Sequence, residues 1–290
     1  VHAQASAQSG IPVGVPVATG GHDCEIGALG SGVASPDTFI DITGTWEMVI
    51  AALEQFQPLE TLYAEGIDYE CHTVPGRFLC QGLMLAGGVI EWVLNAFYSD
   101  VDPARRYQAL MDDASAEAIG SGGVMVLPAF VRGMGAFQAH DATGTVVGLT
   151  TTTRRGQIAR AVLEACCYQL RKQMQVIAGQ VGVRPQSLLT LGGATRNPLW
   201  LQMKADVTGL PVQVPEHEEV TLLGAAMLAG VGAGIYADLS QAIEATRFPL
   251  RTYEPDPAAH ERYGDLYGTL FAPLPAALEG VNRELSARFA

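Results

Sequence analysis

Three glycine-centred turns each follow a short apolar run of the kind that forms a β-strand. The turns are Gly20-Gly21, Gly44-Thr45 and Gly192-Gly193. Glycine adopts backbone angles that other residues resist, and it lets neighbouring backbone or ligand atoms approach closely. Such turns at strand ends favour an α/β fold that binds ligands along one edge of its sheet. Each turn, taken alone, is equally consistent with an ordinary tight turn that binds no ligand.

Asp23 is the carboxylate that the sequence places best for chemistry. It follows Gly20-Gly21 and His22, after the apolar run 13–19, which we predict to be a strand. An acid at the tip of such a turn can reach a substrate in a cleft and act as a general base, with His22 orienting it. The alternative is a plain surface turn.

Strand-like and helical patterns alternate through the rest of the chain. We predict a β-hairpin from 39–43 and 46–53 with Gly44-Thr45 at its tip, followed by a loop-rich segment at 54–80. Further strands are predicted at 124–127, 187–191 and 211–214. Helices are predicted at 83–97, 102–119, 157–177, 198–208, 221–233 and in the tail after 251. This order predicts an α/β fold with a mixed sheet.

The composition narrows the classes of partner. A formal net charge of −13 argues against binding to nucleic acid or an anionic membrane surface. The longest apolar run, 222–237, is shorter than the ~20 residues of a spanning helix. The cysteines form no Cys-x-x-Cys pair and number five, which fits a reducing compartment, so we expect a cytoplasmic protein. Cys71-His72 with Cys80 is an incomplete zinc set, and we assign no metal ligand.

Five motifs occur in a specific order. They are Gly-Gly-His-Asp at 20–23, Gly-Thr-Trp-Glu at 44–47, Ala-Gly-Gly-Val-Ile-Glu-Trp at 86–92, Gly-Gly-Ala-Thr-Arg-Asn-Pro-Leu-Trp at 192–200 and Thr-Leu-Leu-Gly-Ala-Ala-Met at 221–227. The sequence contains neither a Gly-x-Gly-x-x-Gly fingerprint nor a Walker phosphate loop. The ordered set resembles the C-terminal half of FGGY carbohydrate kinases, from residue 11 to about 270, and is most similar to L-fuculokinase-type members. This resemblance implies the actin-like ATPase (ribonuclease H-like) fold, an α/β fold with a mixed sheet flanked by helices.

The resemblance also implies roles for individual residues. Asp23 matches the catalytic base, which takes the proton from a sugar hydroxyl as that oxygen attacks the γ-phosphate of ATP in the presence of Mg²⁺. His22 and Trp46 are expected beside the sugar together with Asp23. The residues that match the nucleotide site are Gly44, Thr45, Gly87, Glu91, Gly193, Ala194 and Asn197.

The resemblance divides the chain into three parts. Residues 1–43 match the last strands of the N-terminal kinase domain, 44–245 the C-terminal nucleotide-binding domain, and 246–290 a C-terminal helical tail. The expected partners are a sugar and the N-terminal half that this chain lacks, without which we expect little activity. Whether the protein forms a homodimer is left open at this point.

Two departures from the family pattern leave a second function open. Cys24 and Glu25 follow Asp23, where many relatives carry a polar residue that contacts sugar, and 132–135 lacks the common Gly-Glu-Arg form. The alternative is therefore a nucleotide-binding or regulatory module of the same fold that does not catalyse.

Overall fold

The structure is a computed structural model that describes residues 1–33, 35–131, 135–136, 142–216 and 219–289. Most of segment 132–135, which departs from the family pattern, lies outside these residues. The helices are α1 (Ala3–Ser9), α2 (Asp23–Gly30), α3 (Glu60–Ala64), α4 (Gly87–Phe97), α5 (Arg106–Ser115), α6 (Arg155–Val181), α7 (Pro198–Thr208), α8 (Val220–Gly232), α9 (Leu239–Ala245), α10 (Pro257–Leu266) and α11 (Leu274–Phe289). The strands are β1 (Thr38–Thr43), β2 (Trp46–Leu53), β3 (Ile67–Cys71), β4 (Phe78–Leu85), β5 (Met125–Leu127), β6 (Thr145–Val147), β7 (Ser187–Gly192), β8 (Val212–Pro215) and β9 (Leu250–Tyr253).

Within the described ranges, seven strands form one mixed sheet in the order β3-β4-β2-β1-β7-β8-β9. The pairs β1–β7 and β7–β8 are parallel, whereas the other neighbours are antiparallel. Strands β5 and β6 form a separate antiparallel ribbon. The α/β fold with a mixed sheet flanked by helices is thus confirmed.

Both faces of the central strands are buried. Phe39 of β1 and Val49 of β2 pack into a large core with α6, whereas Ile40 and Ile50 pack with α2 and α8 on the opposite face. Because side chains alternate between the two faces of a strand, a strand covered on both sides is apolar along its whole length. This explains the apolar run 48–53 of β2. No helix of the described part of the chain is long and apolar enough to cross a bilayer.

Two predictions of secondary structure were wrong. The run 13–19 is not a strand, and its valines at 13 and 17 are 62% and 79% exposed. Pro12 precedes it and Gly14 and Pro16 interrupt it, and proline cannot donate to a ladder of strand hydrogen bonds. The tail after 251 is helical only from Pro257, because β9 precedes it and joins the edge of the sheet. The segment predicted to be loop-rich, 54–80, also contains α3, β3 and the start of β4.

Other elements were predicted more closely. The hairpin is confirmed, and so is the helix that starts at Pro198, where Asn197 caps the amino end and Gly209 follows the carboxyl end. The helix predicted at 83–97 begins only at Gly87, because the residues before it complete β4. The domain division remains a prediction. β1 lies before the predicted boundary between residues 43 and 44, and it forms hydrogen bonds with β2 and β7, which both lie after that boundary.

Candidate functional site

The turn between β1 and β2 lies at the edge of the sheet where several candidate residues meet. Thr43 ends β1 opposite Gly192, which ends the parallel strand β7. Trp46 begins β2 opposite Leu85, which ends β4. The Gly44-Thr45 turn, the start of α4 and the Gly192-Gly193 turn are therefore neighbours in space.

Backbone contacts hold the Gly44-Thr45 turn against the start of α4. The Gly87 amide donates to the Gly44 carbonyl at 3.2 Å, and the Gly88 amide donates to the Thr45 carbonyl at 3.0 Å. A Cβ atom at position 87 would lie 2.3 Å from the Gly44 oxygen, which is too close for any side chain. Gly87 is thus required for packing of the turn. The fourth predicted residue here, Glu91, is exposed one turn further along α4.

The Gly192-Gly193 turn packs on the same hairpin. Gly192 has φ of +81°, and a Cβ atom there would lie 2.7 Å from the Thr43 oxygen. Next to this turn is a cleft of about 280 Å³. It is lined by Thr195, Arg196, Val214, Pro215, Glu216 and Arg251. The two arginines and the apolar wall give this cleft features that an anionic ligand with a flat ring would use.

Ala194 and Asn197 lie at this turn but are buried. The Asn197 Oδ1 accepts a hydrogen bond from the Trp200 amide at 3.1 Å, as expected for a helix cap. Its Nδ2 donates to the Tyr107 hydroxyl at 3.2 Å and contacts the Met111 sulfur at 2.8 Å. Both ends of this side chain therefore have protein partners, and its predicted contact with nucleotide remains a prediction.

A second cleft brings Asp23 and Trp46 together on the other side of the hairpin. It measures about 180 Å³ and is lined by Asp23, Cys24, Ile42, Trp46, Met48, Leu83 and Thr221. Asp23 does not stand at the tip of a strand, as the sequence suggested, but is the first residue of α2. Its side chain is 84% exposed. The carboxylate is thus accessible to a ligand in this cleft.

His22 connects Asp23 to a group of side chains that the sequence did not place together. Its Nε2 lies 3.3 Å from Asp23 Oδ1, and its Nδ1 lies 3.1 Å from Glu70 Oε2 and 3.0 Å from Cys24 Sγ. The hydrogen bond to Glu70 raises the pKa of His22 above its ordinary value. Burial raises the pKa of the Cys24 thiol to about 12, so Cys24 is not a nucleophile at neutral pH.

A buried charged network lies directly beneath the hairpin turn. Lys204 of α7 is fully buried, and its Nζ lies 2.5 Å from Asp41 Oδ2, 2.6 Å from Thr43 Oγ1 and 2.7 Å from Glu47 Oε1. Thr43 and Glu47 face each other across β1 and β2. Lys204 thus ties both strands of the hairpin to the helix that follows the Gly192-Gly193 turn.

One ammonium serves two carboxylates in this network, which has electrostatic consequences. Burial raises the pKa of Glu47 to about 7, although Lys204 opposes this shift. Burial alone would lower the pKa of Lys204, but the Asp41 and Glu47 carboxylates outweigh it and raise that pKa. Lys204 therefore stays charged, and the Glu47 carboxyl group takes up a proton near neutral pH.

Sequence reasoning missed Lys204, Glu70 and the role of Glu47. A lysine is seldom fully buried, and Lys204 is separated from Thr43 by 161 positions, so no local pattern marks it. Glu70 lies in a strand that was not predicted. A signal for the His22 cluster was present, because a histidine and a cysteine two residues apart can both reach one point at a helix start.

Comparisons with known proteins agree with this architecture. The chain is 32% identical to autoinducer-2 kinase of Escherichia coli K12 over 276 residues, and 30% identical to L-fuculokinase of the same strain over 251 residues. The alignments cover 91% and 87% of this chain but 51% of each relative, so the chain spans about half the length of these relatives.

Solved structures and a protein family complete the comparison. The xylulose kinase of Rhodospirillum rubrum superimposes with a TM-score of 0.84 at 28% identity, over 98% of this chain and 56% of that one. Plasmodium falciparum glycerol kinase matches with a TM-score of 0.70 at 21% identity over 86% of this chain and 49% of that one, which supports the fold alone. Residues 42–233 match the C-terminal domain of the FGGY family of carbohydrate kinases. The chain therefore belongs to the FGGY carbohydrate kinase family.

Proposed function

We propose that this chain supplies the nucleotide-binding half and the general base of an ATP-dependent sugar kinase. One observation carries the proposal: the hairpin that ends in the Gly44-Thr45 turn lines the cleft of Asp23 and contacts the Gly192-Gly193 turn, which directly precedes two residues of the other cleft, Thr195 and Arg196. Its Trp46 lines the cleft that holds Asp23, and its Thr43 contacts the Gly192-Gly193 turn beside the other cleft. A sugar in the first cleft and a nucleotide at the second would meet across this turn.

The residues at the turn fit a phosphate and a flat ring. Gly44 and Gly193 are both exposed, and a Cβ atom there would make only an ordinary van der Waals contact, at 3.8 Å and 3.7 Å respectively. Thr45 is exposed and offers a hydroxyl donor beside the turn. Mg²⁺ would neutralise charge on the phosphates.

Asp23 would act as the base in the transfer step. Its carboxylate accepts the proton of a sugar hydroxyl while that oxygen bonds to the γ-phosphorus of ATP and ADP leaves. His22 Nε2 lies 3.3 Å from Asp23 Oδ1 and would hold the orientation of this carboxylate. Trp46 offers an apolar wall to the sugar. The acceptor that we propose is a hydroxyl of a ketose such as L-fuculose or a related sugar.

The experiment is an Asp23→Asn substitution in the protein that carries both halves. Because general-base catalysis contributes about 10²–10⁴-fold, sugar-dependent ADP formation should fall by at least about 100-fold. Glu244→Gln, an exposed acid outside both clefts, is the matched control and should leave the rate unchanged. Turnover of Asp23→Asn within a few-fold of the parent would show that Asp23 is not the base.

Calorimetry with a non-hydrolysable ATP analogue distinguishes this function from a module that does not catalyse. For a kinase, a candidate sugar should change the affinity for the analogue, because both ligands meet at the hairpin. Nucleotide binding that no sugar alters, together with the absence of turnover, would support the alternative.

A further inference from the structure

We propose that His22, Cys24 and Glu70 form a zinc-binding site beside Asp23. The three side chains come from the start of α2 and from β3, and each presents one ligand atom, Nδ1, Sγ and a carboxylate oxygen respectively. These atoms all lie within 4.8 Å of one another. This site would be separate from the machinery of phosphate transfer, because Zn²⁺ differs in its chemistry from the Mg²⁺ that accompanies a nucleotide.

The spacing suits a tetrahedral ion. Ligand atoms on one zinc ion lie about 3.4–3.6 Å apart, given Zn–S bonds of ~2.3 Å and Zn–N and Zn–O bonds of ~2.0–2.2 Å. The His22 nitrogen is 3.1 Å from the Glu70 oxygen and 3.0 Å from the Cys24 sulfur. The first pair would need to separate by about 0.3 Å and the second by about 0.5 Å to admit the ion, while the Cys24 sulfur and the Glu70 oxygen lie within 4.8 Å of each other.

The set of donor atoms selects the metal. A sulfur, a nitrogen and an oxygen suit Zn²⁺, whereas Mg²⁺ prefers oxygen ligands alone. Three protein ligands leave a fourth tetrahedral position for water or a substrate oxygen, which is the arrangement of catalytic rather than structural zinc sites. On binding, the thiol of Cys24 releases its proton to solvent as the metal–sulfur bond forms.

The surroundings favour a cation. Glu25, next in the chain to Cys24, is a second acidic group beside Glu70 at this point. Glu25 also accepts a hydrogen bond from the His22 amide at 3.0 Å. A divalent ion bound to Glu70 would stabilise this pair of acids by removing their mutual repulsion.

Asp23 supplies the outer partner that a zinc-bound histidine usually has. Metal-ligating histidines donate their other ring N–H to a carboxylate or carbonyl, which fixes the tautomer and the ring orientation. Here metal on Nδ1 leaves the proton on Nε2, which lies 3.3 Å from Asp23 Oδ1. Zinc would therefore hold the proposed base in one orientation. This link rests on the proposed function, whereas metal binding does not.

The test uses the protein carrying this chain, stripped of metal with a chelator and titrated with Zn²⁺ against a chromophoric competitor. Glu70→Gln and Cys24→Ser should each weaken Zn²⁺ binding by at least about tenfold. Cys71→Ser is the matched control, because Cys71 is an exposed thiol next to Glu70 and outside the cluster. The control should bind Zn²⁺ like the parent.

Two further measurements keep the proposal falsifiable. Cys24 is buried, so a thermal melt of each variant verifies folding, and Co²⁺ replaces Zn²⁺ to report on the ligands. A thiolate-to-cobalt absorption band that persists in Cys71→Ser and disappears in Cys24→Ser supports the site. Zn²⁺ affinity that is unaltered by both Cys24→Ser and Glu70→Gln, or that is lost with Cys71→Ser instead, overturns it. An unaltered affinity in Asp23→Asn overturns the link to the base.

Discussion

Lys204 Nζ lies 2.7 Å from Glu47 Oε1 in the protein interior, beneath the turn that joins β1 to β2. The same ammonium contacts Asp41 at 2.5 Å, and all three side chains are fully buried. A charge taken out of water is stabilised only by partners of opposite charge and by hydrogen bonds. The hairpin turn of the proposed nucleotide site therefore depends on one lysine that touches no solvent.

Lys204→Met should destabilise the protein by about 3–5 kcal/mol, because it leaves the Asp41 carboxylate buried without its ammonium partner. Urea denaturation at pH 7.5 measures the free energy of unfolding. Arg288→Met is the control, since it removes an exposed ion pair with Glu284, and such pairs contribute about 0–1 kcal/mol. Equal losses in the two variants would contradict the central role of Lys204.

Glu47 should make stability depend on pH. Its pKa is about 7 in the folded protein and about 4.5 in an unfolded chain, so the folded state binds the proton more tightly. This contribution to stability is fully present below about pH 4.5 and is lost as the pH rises to about 7, at a cost on the order of 3 kcal/mol.

Glu47→Gln tests that pH dependence. The amide cannot titrate, so the variant should lack this fall in stability. Relative to the parent, the free energy of unfolding of the variant should therefore increase between about pH 4.5 and 7. Denaturation curves at several pH values measure it, and comparison with the parent cancels the other titrating groups. Parallel curves for the two proteins would refute the assignment of this titration to Glu47.

Local sequence patterns predicted the parts of the site that are close in the chain. Gly44-Thr45 between two apolar runs predicted the hairpin, and Asn197-Pro198 predicted the start of α7, because turns and caps are decided by a few neighbouring residues. β3 escaped prediction although Asp68 and Glu70 alternate with apolar residues as in a strand, because the prolines and glycines of the segment 54–80 favoured a loop. The position of Asp23 was mistaken because the preceding run looked apolar.

The contacts that join distant residues were beyond sequence reasoning. Lys204 meets Thr43 across 161 positions, and His22 meets Glu70 across 48. Such contacts follow from the order of strands in the sheet, and one sequence does not encode that order in any local pattern. Periodicity alone predicted only the α/β class, whereas the family resemblance predicted the actin-like ATPase fold.

Gly87→Ala should weaken both the fold and the proposed nucleotide site. The added methyl group would lie 2.3 Å from the Gly44 carbonyl oxygen and displace the turn, at a cost of about 1–3 kcal/mol. Gly179→Ala is the matched control, since Gly179 lies in α6 with open space around it and alanine should stabilise the helix by about 0.5–1 kcal/mol. Thermal melts and calorimetry with an ATP analogue measure both effects. The prediction fails if the two substitutions change stability in the same direction.

Trp46→Ala should raise the KM for sugar and leave the KM for ATP within about twofold. Trp46 lines the cleft with Asp23, and loss of an apolar contact worth about 1–2 kcal/mol corresponds to a change of about tenfold in binding. Trp92→Ala is the matched control: Trp46 is 36% and Trp92 37% exposed, but Trp92 packs on Phe97 and Phe130, outside that cleft. Steady-state kinetics with sugar and ATP varied in turn separate the two constants. A larger change in the KM for ATP than in the KM for sugar would indicate that Trp46 contacts the nucleotide instead. An equal change in the KM for sugar in Trp92→Ala would show that the effect reflects a general loss of packing.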